Sequence, residues 1–188
     1  YFKLIQGLNN ADSKKKVLMF LGSNIGNFEI QQSILFLKKL RNVMLLGDLL
    51  FIGFDLKKDP QIILNAYDDP HGHTEAFNLN LLQRINDELD ADFNLEDFSH
   101  KQTYDEGSGA VKSFLISKKR QDVHLGETGN VFHFDDQEGI YTEVSQKYDL
   151  EMIEKIARHS GFKIVRHFFD HKRYFVNSLW KLKNGFVI

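Results

Sequence analysis

Two apolar runs decide the fold: VLMFL at residues 17–21, which leads into GSNIGN at residues 22–27, and GDLLFIGFD at residues 47–55. Continuous apolar runs bounded by glycine are typical of central strands in a parallel sheet, where both faces are buried. Between the two runs, apolar residues recur at the spacing of an amphipathic helix: Ile30, Ile34, Leu37 and Leu40. A strand, a helix and a second strand within this length form a βαβ unit, so the sequence predicts an α/β fold.

The rest of the chain divides into a continuation of this core and a different middle part. Helices are predicted from Pro60 onward, over residues 74–89 and over residues 149–160, the last of them capped by Asp149. The helix at 74–89 is expected to turn five residues toward the core: Phe77, Leu81, Leu82, Ile85 and Leu89. Strands are predicted at residues 2–5, 98–104, 111–119, 131–134, 139–145, 162–169 and 175–182. We therefore expect a core of residues 1–90 and 140–188, with an antiparallel α+β region inserted at residues 91–139.

Composition excludes several classes of protein. The 188 residues carry 24 basic and 26 acidic side chains, a balance that argues against nucleic-acid binding by bulk positive charge. The sequence has no cysteine, which excludes disulfide frameworks, thiolate zinc sites, iron–sulfur clusters and cysteine nucleophiles. No apolar run approaches the roughly 20 residues that cross a bilayer. We expect a cytoplasmic protein with neither a nucleic-acid nor a membrane partner.

The turn after the first apolar run is a candidate binding site. Ligands of open α/β sheets bind at the carboxyl ends of strands, where Gly22 and Gly26 permit close backbone approach and Asn27 offers a donor and an acceptor. The alternative is a simple connection in which Asn27 caps the following helix. Asp55 ends the second run, and a functional interpretation places it at the same edge as Gly22. The alternative for its segment, GFDLKKDP, is a solvated loop with carboxylates at a helix start.

Two further segments are candidates. NAYDDPHGH, residues 65–73, combines oxygen and imidazole donors that suit a divalent ion, namely Asp68, Asp69, His71 and His73. Because the spacing matches no standard metal motif, a polar turn is the favoured interpretation and no metal is expected. In TEVSQKY, Glu143 and Ser145 are two residues apart and point to one face of a strand. They are either a recognition pair for a ligand that carries N–H groups or an exposed strand face.

Together these segments resemble one family, the histidine-specific, S-adenosylmethionine-dependent Nα-methyltransferases of ergothioneine biosynthesis. The resemblance covers nearly the whole chain and runs in order through FLGSNIGNF, LLFIGFDLKKDP, ILNAYDDPHGHTEAFNLNLLQRINDELDADF, YTEVSQKY and GFKIVRHFFD. It implies a Rossmann-like class I methyltransferase core with an added substrate-recognition region. It also implies an enzyme that methylates the α-amine of histidine or a related amino acid up to three times.

The resemblance assigns roles to individual residues. Gly22 and Asn27 match positions that contact the amino-acid backbone of histidine, and Asn27 is the residue expected to aim the amine during catalysis. Tyr67 matches the tyrosine that holds the substrate carboxylate, while Glu143 and Ser145 match the pair that reads the imidazole ring. The S-adenosylmethionine contacts implied within this chain are Gly7, Leu8, Gly22 and Ser23.

Three departures from the family pattern bear on these roles. The glycine-rich cofactor motif is absent, so we expect it upstream of Tyr1 and expect this chain to be the C-terminal portion of such an enzyme, inactive alone. Leu8 and Asn9 stand where the family commonly has Asp-Phe next to the adenine. Ser113 stands where better-known members carry a methionine near the substrate ring, and a smaller residue there would widen the pocket for a different amine.

Overall fold

The computed structural model describes residue 7 and residues 14–67, 71–126 and 128–183. The chain forms two compact units: the first is Tyr1–Lys58 with Val144–Ile188, and the second is Asp59–Glu143. The strand expected at residues 2–5 lies outside the described residues. The functional division expected at residues 90/91 and 139/140 stays a prediction.

The described elements follow the expected order closely. The strands are β1 (Val17–Phe20), β2 (Leu49–Asp55), β3 (Phe98–Asp105), β4 (Ala110–Ser117), β5 (Gln121–Leu125), β6 (Asn130–Phe134), β7 (Gly139–Gln146), β8 (Phe162–Phe169) and β9 (Phe175–Leu182). The α-helices are α1 (Ile30–Val43), α2 (Pro60–Asn65), α3 (His73–Leu89) and α4 (Leu150–His159). Short 3₁₀ turns cover Asn24–Asn27 and Leu95–Asp97.

The first unit contains a mixed sheet with the strand order β1-β2-β9-β8. β1 and β2 are parallel and are joined through α1, which confirms the βαβ unit. β9 is antiparallel to both of its neighbours, so β8 runs in the same direction as β2. The α/β class is therefore confirmed, and the arrangement agrees with the Rossmann-like methyltransferase core that the resemblance implies.

One face of this sheet forms the core of the first unit. Its buried residues from sheet and helices include Leu37, Leu40, Leu50, Ile52, Phe54, Ile153, Ile156, Val176 and Trp180. The expectation that the first apolar run is buried on both faces is wrong, because Val17 and Met19 are 56% and 57% exposed. Alternate residues of a strand point to opposite faces, and in the described residues α1 and α4 pack on only one of them.

The second unit combines α2 and α3 with strands of the middle region. β3 and β4 pair as antiparallel strands in a three-stranded sheet with β7, and β5 and β6 form a separate two-stranded ribbon. A small apolar cluster holds the unit together: Leu82, Phe93, Phe98, Leu115 and Val123. The sequence did not predict β5. Phe77 and Leu89 were expected in the core but are 70% and 39% exposed, so that expectation is wrong for both residues.

In the described residues, no helix is long and apolar enough to cross a membrane.

Candidate functional site

The turn after β1 has an unusual backbone that exposes Asn27. Gly22 and Ser23 have positive φ values of 73° and 55°, and the non-glycine Ser23 adopts this left-handed conformation at an energetic cost. α1 begins after Glu29, whose backbone N–H donates to Gln32 Oε1 at 3.1 Å. The interpretation of Asn27 as the helix cap is therefore wrong. Asn27 is exposed, and its amide makes no hydrogen bond within the described part of the chain.

The Ser23 conformation is fixed by the end of the neighbouring strand. The backbone N–H of Asp55, the last residue of β2, donates to Ser23 Oγ at 2.9 Å across 32 residues of sequence. This contact confirms that Asp55 and the turn lie at the same edge of the sheet, where parallel strands present their carboxyl ends. The carboxylate expected at the following helix start is also present, since Asp59 caps α2.

Two lysines meet the Asp55 carboxylate and extend the contact to β7. Lys58 Nζ lies 2.5 Å from Asp55 Oδ1, and Lys147 Nζ lies 2.9 Å from Asp55 Oδ2. Lys147 is only 5% exposed, and its ammonium also donates to Ser145 Oγ at 2.9 Å. We call Ser23, Asp55, Lys58, Ser145 and Lys147 the Asp55 network. All of its members belong to the first unit.

Further contacts in the first unit hold the turn against the segment after β7. The Tyr148 hydroxyl donates to the Ile25 carbonyl at 3.0 Å, and burial of this phenol raises the pKa of Tyr148 above its ordinary value. A Cβ on Gly26 would lie 2.9 Å from the Gln146 carbonyl oxygen, so only glycine allows this close approach. The turn is therefore positioned by contacts on both sides, which leaves Gly22 and Asn27 on the exposed side.

The second unit contains a shallow pocket of about 210 Å³ beside α3. We call it the α3 pocket, and its lining residues are Phe77, Asn78, Asn80, Leu81, Arg84, Thr142 and Glu143. Glu143 is half-buried, and its carboxylate makes no hydrogen bond or ion pair with the residues that the structure describes. A carboxylate accepts hydrogen bonds only, so Glu143 is available to a ligand that donates an N–H.

A buried polar contact lies directly beside Glu143. The Thr142 hydroxyl is 2.9 Å from Asn78 Oδ1 and 3.1 Å from the Ser113 carbonyl oxygen. The Thr142–Asn78 contact ties β7 to α3 next to the α3 pocket, and Asn78 in turn donates to the Thr74 carbonyl within α3 at 3.0 Å. Ser113 itself lies on β4 and is 1% exposed.

Some of the remaining expected residues lie outside the described part of the chain. Tyr67 follows α2 in the second unit and is half-buried, while Gly7 is exposed and Leu8 lies outside the described residues. The rings of His71 and His73 have their centroids 5.7 Å apart, and Asp68 and Asp69 are also outside the described residues. Over residues 14–67, 71–126 and 128–183, no three His, Cys, Asp or Glu side chains form a group that could hold a metal ion.

The chain matches one protein family over nearly its whole length. A family model described as histidine-specific methyltransferase, SAM-dependent, matches residues 1–182. The chain belongs to this family. It is 36% identical over 165 residues to the histidine N-alpha-methyltransferase of Mycobacterium tuberculosis, covering 88% of this chain and 51% of that protein. It is 34% identical over 149 residues to the protein of the same name from Mycolicibacterium smegmatis, covering 79% of this chain and 46% of that protein.

A more distant relative and a solved structure complete the comparison. The chain is 30% identical to ergothioneine biosynthesis protein 1 of Schizosaccharomyces pombe, over 79% of this chain and 19% of that protein. An S-adenosylmethionine-dependent methyltransferase from Clostridium acetobutylicum aligns with 91% of this chain and 60% of its own, at 9% identity and a TM-score of 0.46. The chain therefore spans about half the length, or less, of the curated relatives that it matches.

Lys147 is a member of the Asp55 network that sequence reasoning missed. A basic residue that follows a strand usually indicates a solvated strand end. The local sequence does not show whether such a lysine is exposed to water or is paired with a carboxylate far away in the chain. One signal for Lys147 was present in the sequence. Polar residues occupy alternate positions in TEVSQKY, and the lysine is the third of them: Glu143, Ser145 and Lys147.

Proposed function

We propose that the protein carrying this chain is an S-adenosylmethionine-dependent N-methyltransferase acting on the α-amine of histidine or a related amino acid. The family assignment supports this function, and the names of the two mycobacterial relatives support the substrate. One structural observation carries the proposal: Asn27 stands exposed, with an unpartnered amide among the described residues, at the carboxyl end of a strand in a parallel pair.

The turn after β1 fits the close approach of a cofactor. Gly22 has a positive φ, and a Cβ placed on it would meet only Asn24 Nδ2, at 3.6 Å, so its exposed backbone is open to a ligand. When bound, S-adenosylmethionine supplies a methyl group already activated by its sulfonium sulfur. Gly22 and Ser23 are the described residues that we propose contact it, together with Gly7; Leu8 is the fourth residue proposed from the resemblance.

The reaction requires a neutral amine in line with the transferred methyl group. Asn27 Oδ1 would accept one amine N–H and so direct the nitrogen lone pair, and Tyr67 would bind the substrate carboxylate. Holding both reactants in such a geometry contributes roughly 7–11 kcal/mol to lowering a bimolecular barrier. Glu143 and Ser145 would bind the ring and favour histidine over amino acids that lack ring hydrogen-bonding groups.

The test uses the natural protein that contains these residues. Incubation with histidine and S-adenosylmethionine is expected to give methylated histidine by mass spectrometry. Asn27→Ala should lower kcat/KM for histidine by about 100-fold because the amine loses a preorganised contact, and Tyr67→Phe should raise KM for histidine. Asn42→Ala is the matched control, since Asn42 lies on α1 outside the turn. Methylation of another small amine, with histidine ignored, would show that the substrate is wrong.

A second candidate is that these 188 residues bind no cofactor by themselves. It is supported by the match to only 51% of the Mycobacterium tuberculosis relative. Titration calorimetry of the 188-residue chain with S-adenosylmethionine separates the two possibilities. Tight binding would reject the second candidate, and no heat change from a folded chain would support it.

A further inference from the structure

Lys147 is the least exposed charged side chain of the Asp55 network, and no role for it follows from the resemblance. Its residue exposure is 5%, and its ammonium lies 2.9 Å from both Asp55 Oδ2 and Ser145 Oγ. An ammonium has donors and no acceptor, so the Lys147–Ser145 hydrogen bond has one possible direction: Lys147 donates and Ser145 accepts. Asp55 compensates the charge, which allows the ammonium to remain in place with little exposure.

This direction determines what Ser145 offers to a ligand. The Ser145 proton must point away from the ammonium, and it reaches no acceptor within the described part of the chain. The nearby positive charge also makes the hydroxyl oxygen a poorer acceptor toward a second N–H, above all one carried by a cation. Ser145 is half-buried rather than enclosed, so its proton remains available to a bound molecule.

We propose that Lys147 is a positioning residue that makes Ser145 a hydrogen-bond donor, so that Ser145 binds an unprotonated ring nitrogen of the substrate. This inference rests on the proposed function, in which Ser145 contacts the imidazole ring. A neutral imidazole carries one ring N–H and one ring lone pair, whereas the protonated ring carries two N–H groups and no lone pair. A Ser145 that donates therefore selects the neutral ring of histidine.

The kinetic test compares histidine with a carbon-linked β-(pyrrolyl)alanine, whose ring has an N–H but no nitrogen acceptor. The wild-type protein should prefer histidine by at least about 100-fold in kcat/KM, because the pyrrole leaves the Ser145 proton unpaired. Lys147→Met should reduce that preference by about tenfold and raise KM for histidine, with KM for S-adenosylmethionine unchanged. Lys147→Gln keeps an N–H donor without the charge. Its preference for histidine should lie between those of the wild-type protein and Lys147→Met.

Two controls separate this role from a merely structural one. Lys58→Met removes the other ammonium from Asp55, does not touch Ser145, and should keep the wild-type preference. Adding Lys147→Met to Ser145→Ala should cause no further loss of preference, because the hydroxyl that Lys147 acts through is already gone. A further loss in the double variant, or a wild-type preference in Lys147→Met, would overturn the inference.

A readout independent of activity tests the contact itself. The ¹⁵N signal of the Lys147 ammonium in the full chain should shift in Ser145→Ala and stay in place in Ser160→Ala, whose serine bonds to Ile156 instead. An unchanged signal in Ser145→Ala would overturn the inference even if Lys147→Met failed to fold. A protein that ignores histidine while the signal shifts would show that the proposed substrate is wrong and the Lys147–Ser145 contact correct.

Discussion

The Asp55 network of the first unit and the α3 pocket of the second unit use polar groups in opposite ways. In the Asp55 network, the carboxylate, the Lys147 ammonium and the Ser145 hydroxyl are bonded to one another, and Lys147 is almost completely removed from water. In the α3 pocket, the half-buried carboxylate of Glu143 has no partner among the described residues. The first arrangement fixes the geometry of the protein, and the second leaves a group available to a ligand.

This difference has an energetic consequence. A buried charge depends on its partners, so removing one member of a paired network destabilises the fold strongly. A carboxylate without a protein partner contributes little to folding, and changing it affects binding rather than stability. Substitutions in the Asp55 network are therefore expected to lower the free energy of unfolding, whereas substitutions in the α3 pocket are expected to lower catalytic activity.

Asp55→Ala should have the largest effect on stability. It leaves the Lys147 ammonium, which is nearly buried, without its carboxylate, and we expect a loss of about 3 kcal/mol in the free energy of unfolding. Urea denaturation of the 188-residue chain at pH 7 measures it. Asp97→Ala in the second unit is the control, because Asp97 pairs with Lys119, whose side chain is 56% exposed. Equal losses in the two variants would remove the distinction between a buried network and an exposed ion pair.

Asp149→Asn should lower the free energy of unfolding by less than Asp55→Ala does, and the loss should depend on pH. Burial alone would raise the pKa of Asp149, but the Met152 N–H and the Lys57 ammonium outweigh it and lower the pKa below 3.8. The charged form is thus favoured in the folded state, and its stabilisation is present above the ordinary pKa and lost as the pH falls through the folded value.

Because an asparagine at this position would still cap α4, the substitution isolates the charge. We expect the variant to lose about 0.5 kcal/mol at pH 7, since the Asp149 side chain is 45% exposed and water weakens the pairing. The difference from wild type should shrink as the pH falls below about 4. Denaturation curves over this range provide the measurement, and a difference that grows toward acid pH would contradict the assignment.

The elements of the first unit could be predicted because their signals are local. Asp149 caps α4 through the Met152 N–H, and β8 and β9 have the predicted bounds, because a cap and an apolar periodicity identify them without distant contacts. β5 escaped prediction because its short run, QDVHL, has only two apolar residues, Val123 and Leu125. The burial of β1 was misjudged since an apolar run does not reveal how many of its faces are covered.

The candidate site was less accessible to sequence reasoning than the fold. The family motifs indicate the positions of Asn27 and Glu143, but the Ser23–Asp55 contact joins residues 32 positions apart, and the Lys147–Asp55 pair is longer still in sequence. Such contacts depend on how β2 lies beside the turn and beside residues 145–147 of the same unit, which no local pattern encodes. Sequence thus indicated which side chains are expected to meet a ligand and missed the side chain that we propose orients one of them.

Glu143→Gln should have the smallest effect on stability and gives the sharpest contrast with Asp55→Ala. The substitution keeps the size of the side chain and removes a charge that no described residue pairs with, so the free energy of unfolding should change by less than about 0.5 kcal/mol. In the natural protein, kcat/KM for histidine should nevertheless fall about tenfold, because a charge-assisted hydrogen bond to the ring N–H becomes a neutral one.

Glu106→Gln, at an exposed turn of the same unit, should change neither quantity. A loss of stability in Glu143→Gln comparable to that of Asp55→Ala would mean that the Glu143 carboxylate supports the fold, and the α3 pocket would then be part of the scaffold rather than a place where the ring of the substrate is bound.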